Sequence, residues 1–208
     1  MKKFIGKFHY LTQDLPHRSH LEQTVLACEA GANWIQYRCL SKSDDEMLEE
    51  LHQIAAVCDD WGTTLIVTEH YHLLSLADIQ GVHIEDMDAD LTFVRTQIGD
   101  DKTLGASANT LAQIIKHQAN SADYIGCGPF GNTKPNNAEH WGIIGYQHIV
   151  SQLHNLNLQI PLIAAGGIDL THVKKLLETG IHGIAVSATV NLSEDASTAF
   201  KNIYKVIY

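Results

Sequence analysis

Positive charge is scarce in this chain of 208 residues, in which 14 Lys and Arg stand against 24 Asp and Glu. The formal net charge is −10 at pH 7. Because a nucleic-acid-binding surface needs many Lys and Arg on one face, we expect no nucleic acid as partner. A site for an anionic ligand must then depend on a few local cations, and Arg38 and Lys134 are the isolated candidates.

Cysteine and long apolar runs are also scarce. The four cysteines form no CxxC pair and lie in apolar segments, which is typical of buried free thiols in a reducing compartment. The first residues lack the apolar stretch of a secretion signal, and no run has the roughly 20 apolar residues of a membrane-spanning helix. We therefore expect a cytoplasmic protein with no membrane partner.

The chain does contain a short apolar strand followed by an amphipathic helix, eight times in succession. The predicted strands cover residues 7–13, 34–40, 64–69, 81–85, 103–108, 124–128, 161–165 and 183–186. The predicted helices cover residues 21–31, 44–62, 71–78, 90–98, 110–120, 142–155, 169–179 and 193–208. Strands that are apolar throughout, without alternation, indicate a parallel sheet that is buried on both faces.

Two architectures fit this order of elements, a (β/α)8 barrel and a doubly wound open sheet. A faint internal repeat at the helix-to-strand turns favours the barrel. Its copies are residues 31–36, 80–84, 121–126 and 180–185. A length of 208 residues is near the lower limit for such a barrel. We predict an α/β fold with a single TIM-barrel domain over residues 1–208.

Polar residues and glycines collect at the C-terminal ends of the predicted strands, where barrel enzymes carry out their chemistry. They are Gln13, Asp14, Gln36, Arg38, Thr68, Glu69, Glu85, Asp88, Ser107, Asn109, Thr133, Lys134, Gly166, Gly167 and Ser187. Gln36 and Arg38 are two residues apart on one strand, so their side chains share a face. The loops that follow residues 165 and 186 can offer bare backbone N–H groups to an anion. The pattern is typical of barrels that act on phosphorylated substrates.

Eight short motifs occur in order along nearly the whole chain. They are YLTQD at 10–14, QYR at 36–38, GVHI at 81–84, GASANT at 105–110, ADYIGCGP at 122–129, TK at 133–134, AGGI at 165–168 and GIAVSA at 183–188. The ordered set resembles the thiamine-phosphate synthase and thiazole tautomerase superfamily. No single motif carries the resemblance, since a Gly-Gly phosphate loop occurs in many barrels.

The resemblance implies a synthase that joins hydroxymethylpyrimidine diphosphate to hydroxyethylthiazole phosphate and releases diphosphate, with Mg2+ as cofactor. The implied ligands are Gln36, Arg38 and Lys134 for the diphosphate, Asp88 and Glu69 for Mg2+, Ser107 for the pyrimidine, and Thr133 with the backbone of Gly166, Gly167, Val186 and Ser187 for the thiazole phosphate. Thr68 is a further implied substrate-binding residue, and Arg38, Ser107 and Lys134 are the implied catalytic residues. The phosphate would lie at the start of the helix near Asp169.

Three departures from the family pattern fall on the diphosphate and metal half of the site. A family lysine is replaced by Leu40, an Asn-Asp pair becomes Thr68-Glu69, and the loop after strand six is about two residues shorter. A thiazole tautomerase-like paralogue and a non-catalytic binder of thiazole phosphate therefore remain as alternatives. In the tautomerase branch a histidine stands where this chain has Pro129, and His83 or His140 would have to act as acid or base.

Several candidates also have structural interpretations. Arg38 could be the ion-pair partner of Glu69 or Glu85, and Asp88 could cap the helix that follows it. The pair His70 and His72 is weak evidence for a transition-metal site.

The loop over residues 130–141 is predicted to act as a lid that is open without ligand. The sequence leaves a homo-oligomer open.

Overall fold

Eight parallel strands close into a barrel in the computed structural model, which describes residues 3–131 and 140–208. The strands are β1 (Phe8–Leu11), β2 (Trp34–Tyr37), β3 (Thr64–Thr68), β4 (Gly81–Ile84), β5 (Thr103–Ala108), β6 (Tyr124–Cys127), β7 (Leu162–Ala165) and β8 (Gly183–Val186). Each strand pairs with the next, and β8 pairs with β1, with Phe8 opposite Ile184. The predicted TIM barrel is confirmed, and the open-sheet alternative is wrong.

Helices follow the strands around the outside of the barrel. They are α1 (His20–Glu29), α2 (Asp44–Trp61), α3 (Leu91–Ile98), α4 (Leu111–Ala119), α5 (Gly142–Asn155), α6 (Leu170–Leu177), α7 (Ala188–Asn191) and α8 (Ala196–Ile207). Side-chain caps set many of the helix starts: Ser19, Ser43 and Thr110 each form a capping box, and Asp169 caps α6 as its sequence position indicates. No helix in the described part of the chain is long and apolar enough to cross a bilayer.

The structure corrects two of the predicted helices and adds a third. The helix predicted over residues 71–78 is a short 3-10 helix, Tyr71–Ser75, because the connection must return at once to β4, where Gly81 pairs with Ile66. The last helix starts at Ala196 instead of residue 193, since Asp195 provides its N-cap. Helix α7 was not predicted, because four residues are too few to show a helical period.

Strand β2 ends at Tyr37, three residues before its predicted end. After it the backbone N–H groups bond to side chains instead of to a neighbouring strand. Arg38 N–H donates to Thr12 Oγ1 at 3.1 Å, and Leu40 N–H donates to Asp14 Oδ2 at 2.9 Å. These two bonds turn the chain away from the sheet and leave Arg38 at the rim of the barrel.

The barrel interior is filled at its N-terminal end and becomes polar toward its C-terminal end. Ile5, Trp34, Ile66, Tyr124 and Ile163 form an apolar cluster that is separate from the larger core between sheet and helices. Farther along the same strands the buried side chains are polar, and they include Gln36, Thr68 and His83. The closed N-terminal end and the polar C-terminal end place the candidate site at the C-terminal rim.

Candidate active site

Gln36 and Thr68 form the buried floor of the candidate site. They lie on neighbouring strands, and the Gln36 amide Nε2 donates to Thr68 Oγ1 at 2.9 Å. Both residues are almost fully buried. The hydroxyl of Thr68 thus orients the Gln36 side chain.

Arg38 is held at the rim by Glu85 in a two-pronged ion pair. Its Nε lies 2.6 Å from Glu85 Oε1, and its Nη2 lies 2.9 Å from Oε2. Both side chains are about one-third exposed (32%). The hydrogen bond to Glu85 raises the pKa of Arg38, so the guanidinium stays charged. Of its five N–H donors, those on Nη1 form no hydrogen bond to any described residue and remain open to a ligand. The structure thus selects Glu85, rather than Glu69, as the ion-pair partner of Arg38.

Glu69 supports the loop after β4 through its side chain. Its Oε1 accepts a hydrogen bond from the backbone N–H of Glu85 and another from Asp86 N–H at 2.9 Å. Its own backbone has a φ of 65°, a left-handed conformation that is uncommon for glutamate. The two bonds compensate for this conformation and fix the backbone that carries Glu85.

Asp88 lies on the same loop and is exposed. It does not cap α3, because Asp90 does so by accepting from Thr92 N–H and Phe93 N–H. The Asp88 backbone is held by Asp86 Oδ1 at 2.9 Å, while its carboxylate accepts no hydrogen bond from the described residues. A carboxylate in this position has the oxygen-donor chemistry that Mg2+ prefers.

Ser107 lies at the end of a hydrogen-bonded chain through the barrel interior. His83 Nε2 is 3.0 Å from Ser107 Oγ, and its Nδ1 is 3.0 Å from the Tyr124 hydroxyl. Burial lowers the pKa of His83 to about 4, so the ring is neutral near pH 7. Burial keeps Tyr124 protonated by raising its pKa. When Tyr124 donates to Nδ1, His83 Nε2–H donates to Ser107 and leaves the serine proton for a ligand.

A glycine makes room for this histidine. A Cβ atom on Gly126 would lie 2.9 Å from His83 Cε1, which is closer than side-chain contacts allow. The role of His83 as the residue that positions Ser107 was not recognised from the sequence. The GVHI motif was the signal for it, because a polar residue on a buried strand needs a buried partner.

The loops after β7 and β8 form a second group of backbone donors. Gly166 and Gly167 have φ values of 86° and 69°, which side chains rarely adopt. The backbone N–H groups of Gly167, Ser187 and Ala188 donate to no other described residue, and Ser187 directly precedes α7. A short extra helix after β8 is the usual position of a phosphate site in TIM barrels.

The expected phosphate position differs in one detail, and the expected use of the Ser187 backbone agrees with the hydrogen bonds. The N-terminus of α6 near Asp169 already has its own anion, because the Asp169 carboxylate accepts from Thr171 N–H at 2.9 Å. The start of α7 is therefore the better position for a phosphate. The Ser187 hydroxyl donates to Gln13 Oε1 at 2.8 Å, so its backbone N–H is the free donor.

The loop after β6 starts beside the glycine loop. Phe130 N–H donates to Ala165 O at 2.8 Å, and Gly131 N–H donates to Gly166 O at 3.1 Å. Residues 132–139 lie outside the described part of the chain, and with them Thr133, Lys134 and most of the predicted lid over residues 130–141. His140 is described and exposed, and the hydrogen-bond partners of the buried His83 are Tyr124 and Ser107.

The comparisons with known proteins now identify the family. The family model described as thiamine monophosphate synthase matches residues 10–190. The chain belongs to the thiamine monophosphate synthase family. It is 32% identical to the thiamine-phosphate synthase of Phocaeicola vulgatus, over 95% of this chain and 96% of that one. It is 29% identical to the thiamine-phosphate synthase of Flavobacterium johnsoniae, over 98% and 97% of the two chains.

A solved structure agrees with this assignment. The thiamine phosphate pyrophosphorylase from Pyrococcus furiosus superposes with a TM-score of 0.85 at 26% identity, over 97% of this chain and 95% of that one. The resemblance seen in the motifs is confirmed.

Proposed function

We propose that this protein is a thiamine-phosphate synthase, a transferase that couples hydroxymethylpyrimidine diphosphate to hydroxyethylthiazole phosphate in thiamine biosynthesis. The observation that supports the proposal is that two sets of N–H donors suited to anions lie on one barrel rim. One is Arg38, with the Nη1 edge of its guanidinium open. The other is the set of N–H groups of Gly167, Ser187 and Ala188, which donate to no other described residue. A reaction between a diphosphate and a phosphate needs both.

The reaction breaks the bond between the pyrimidine methylene carbon and the diphosphate oxygen, and the electron pair leaves with the diphosphate. The family resemblance implies that a pyrimidine-methyl cation forms first and that the thiazole nitrogen captures it. Arg38, with Gln36 beside it, is placed to bind the departing oxygens. Ser107, positioned by His83, offers a hydroxyl proton to a ring nitrogen of the pyrimidine.

The diphosphate half of the site contributes little net positive charge of its own. Arg38 and Glu85 neutralise each other, and Leu40 takes the place of a family lysine. Mg2+, when bound, would supply the missing positive charge. The exposed Asp88 carboxylate fits as its ligand, and the second oxygen of Glu69 lies on the same rim. Lys134 is proposed as the additional cation.

The proposal also covers the domain organisation and the thiazole-phosphate half of the site. Residues 1–208 are proposed to form one TIM-barrel domain, and Thr133, Gly166 and Val186 are proposed to line the thiazole-phosphate half. The tautomerase alternative has little support, since Pro129 occupies the position of the catalytic histidine of that branch and His83 is buried. A cytoplasmic location and a homo-oligomer stay predictions.

The deciding experiment measures diphosphate release by purified protein. We expect release only when both substrates and Mg2+ are present. Arg38→Ala and Asp88→Ala should each lower kcat/KM by a factor that corresponds to about 3 kcal/mol or more, as for other preorganised electrostatic groups. Lys116→Ala and Asp101→Ala remove exposed charges elsewhere on the barrel and serve as matched controls. Binding of thiazole phosphate without any diphosphate release would favour the non-catalytic alternative.

A further inference from the structure

Three metal-ligating side chains from two separate elements converge beside the C-terminal end of β3. Asp44 lies in the first turn of α2, while His70 and His72 lie at the 3-10 helix that follows β3. Asp44 Oδ1 is 3.0 Å from His70 Nδ1, and Asp44 Oδ2 is 2.7 Å from His72 Nε2. One potential ligand atom from each residue lies within 4.8 Å of the others.

The backbone around this cluster is fixed from several sides. Glu69, directly before His70, anchors the loop through its bonds to the N–H groups of Glu85 and Asp86. His70 N–H donates to Thr68 O at 2.9 Å. On the other side, Ser43 and Glu46 form the capping box that sets the start of α2. The backbone that carries the three ligands is therefore fixed, and only their side chains have to rotate around an ion.

The cluster is also open to solvent, unlike a structural ion pair in a core. The side chains of Asp44 and His72 are each 51% exposed, and that of His70 is 31% exposed. An ion can reach them without unfolding, and water can complete its coordination. Nearby charge favours a cation, because Asp45 adds a second exposed carboxylate while Lys42 is bound to Glu50 at 2.6 Å. The negative charge of Asp45 offsets the repulsion between a cation and the positive end of the α2 helix dipole.

The donor set selects the type of ion. Two imidazoles and one carboxylate suit Zn2+ and similar transition metals, whereas Mg2+ prefers oxygen ligands and keeps several waters. Each histidine now donates its N–H to Asp44. To bind a metal, each ring would carry its proton on the other nitrogen and direct its lone pair at the ion.

We propose that Asp44, His70 and His72 form a binding site for a transition-metal dication, with Zn2+ as the ion of best fit. The site is distinct from the Mg2+ site assigned to Asp88 and Glu69. A bound ion would connect the start of α2 with the loop after β3, directly beside the rim that carries the substrates. The proposal is independent of the synthase activity, because it rests on three side chains with no role in that reaction.

The test is a titration of chelator-treated protein with Zn2+ alone, followed by isothermal calorimetry and by the thermal unfolding midpoint. We expect one Zn2+ per chain to bind and to raise the midpoint. Asp44→Asn and His72→Ala should each weaken Zn2+ binding at least tenfold, since even the loss of an outer-shell partner costs that much. Mg2+ binds elsewhere on the rim under the proposed function, so any shift that it produces should be the same in Asp44→Asn and His72→Ala as in the wild type.

Matched variants separate this site from other histidines. His52→Ala removes an exposed histidine of α2 and should keep the wild-type Zn2+ affinity, whereas Asp45→Asn removes only a neighbouring charge and should weaken Zn2+ binding far less than Asp44→Asn does. A second set of potential ligands, Asp14, His20 and Cys39, lies elsewhere on the barrel. Retention of full Zn2+ affinity in Asp44→Asn and His72→Ala, with its loss in Cys39→Ser, would overturn the proposal, as would the absence of Zn2+ binding to the wild type.

Discussion

At the scale of single residues, Glu85 determines how much positive charge Arg38 can present to an anion. The two side chains are joined through both carboxylate oxygens, at 2.6 and 2.9 Å. A diphosphate that approaches the open Nη1 edge of Arg38 therefore also meets the Glu85 carboxylate. Like charges a few ångströms apart near a protein surface repel by several kcal/mol. A divalent cation bound to the diphosphate reduces this repulsion.

Glu85→Gln is expected to increase the affinity for free inorganic diphosphate at least tenfold, about 1.4 kcal/mol, when EDTA removes divalent ions. The amide keeps one hydrogen bond to Arg38 but no longer repels the anion. Calorimetric titration with diphosphate measures the effect. Asp86→Asn removes the same charge one residue farther along, without a contact to Arg38, and should change the affinity less. Equal affinities in wild type and Glu85→Gln would contradict this view of the pair.

Leu40 is a second residue that limits positive charge at the rim. Its side chain is 69% exposed, so a longer polar side chain fits there without repacking. We expect Leu40→Lys to raise the rate of diphosphate release or leave it intact, because it restores a cation beside the diphosphate site. Leu156→Lys adds the same charge at another exposed leucine, after α5, and should not alter the rate. If neither the wild type nor Leu40→Lys releases diphosphate, the synthase proposal fails.

At the scale of elements, the glycine loop after β7 and the short helix α7 together make up the proposed phosphate-binding unit. Gly167→Val should abolish binding of thiazole phosphate, because it places a side chain where the phosphate must approach. The matched control is Gly62→Val at the end of α2. Gly62 has a similar φ of 63°, and a Cβ atom there would meet nothing within 4 Å. Both variants strain the backbone alike. Calorimetry with thiazole phosphate should therefore detect a loss only in Gly167→Val, and unchanged binding there would refute the assignment.

At the scale of the whole molecule, buried neutral histidines couple the stability of the barrel to pH. His9 stacks on Trp34, with ring centroids 4.3 Å apart, inside the barrel. Burial holds the pKa of His9 well below its ordinary value, and the nearby His83 lowers it further. In the unfolded chain the pKa of this residue returns to about 6.5. As the pH falls below that value, the unfolded chain takes up a proton that the folded barrel does not.

The free energy of unfolding should therefore be highest above pH 6.5 and should fall on acidification. One such histidine contributes up to about 1.4 kcal/mol per pH unit. His9→Gln should show a smaller slope between pH 6.5 and 4.5, as measured by urea unfolding, whatever its stability at neutral pH. His83, whose pKa is also lowered, should maintain part of the slope. His52→Gln, at an exposed site, is the control, and a slope in His9→Gln equal to that of the wild type would exclude His9 as the cause.

The barrel itself followed from local features of the sequence. Apolar strands, amphipathic helices and caps such as Ser43 and Asp169 each depend on residues close together in the chain. The ordered motifs then indicated the family. Many of the candidate site residues could be placed at the rim from the sequence, because locating a parallel strand also locates its C-terminal end.

The contacts between those residues depended on the tertiary structure. Arg38 and Glu85 are 47 positions apart, and the sequence allowed Glu69 as an equal partner. Only the closed barrel sets β2 and β4 at the distance that joins Arg38 to Glu85 and directs Glu69 to the backbone instead. Helix α7 was likewise invisible in a pattern of four residues. Asp44 meets His70 and His72 because α2 packs over the end of β3, a proximity that no local pattern encodes.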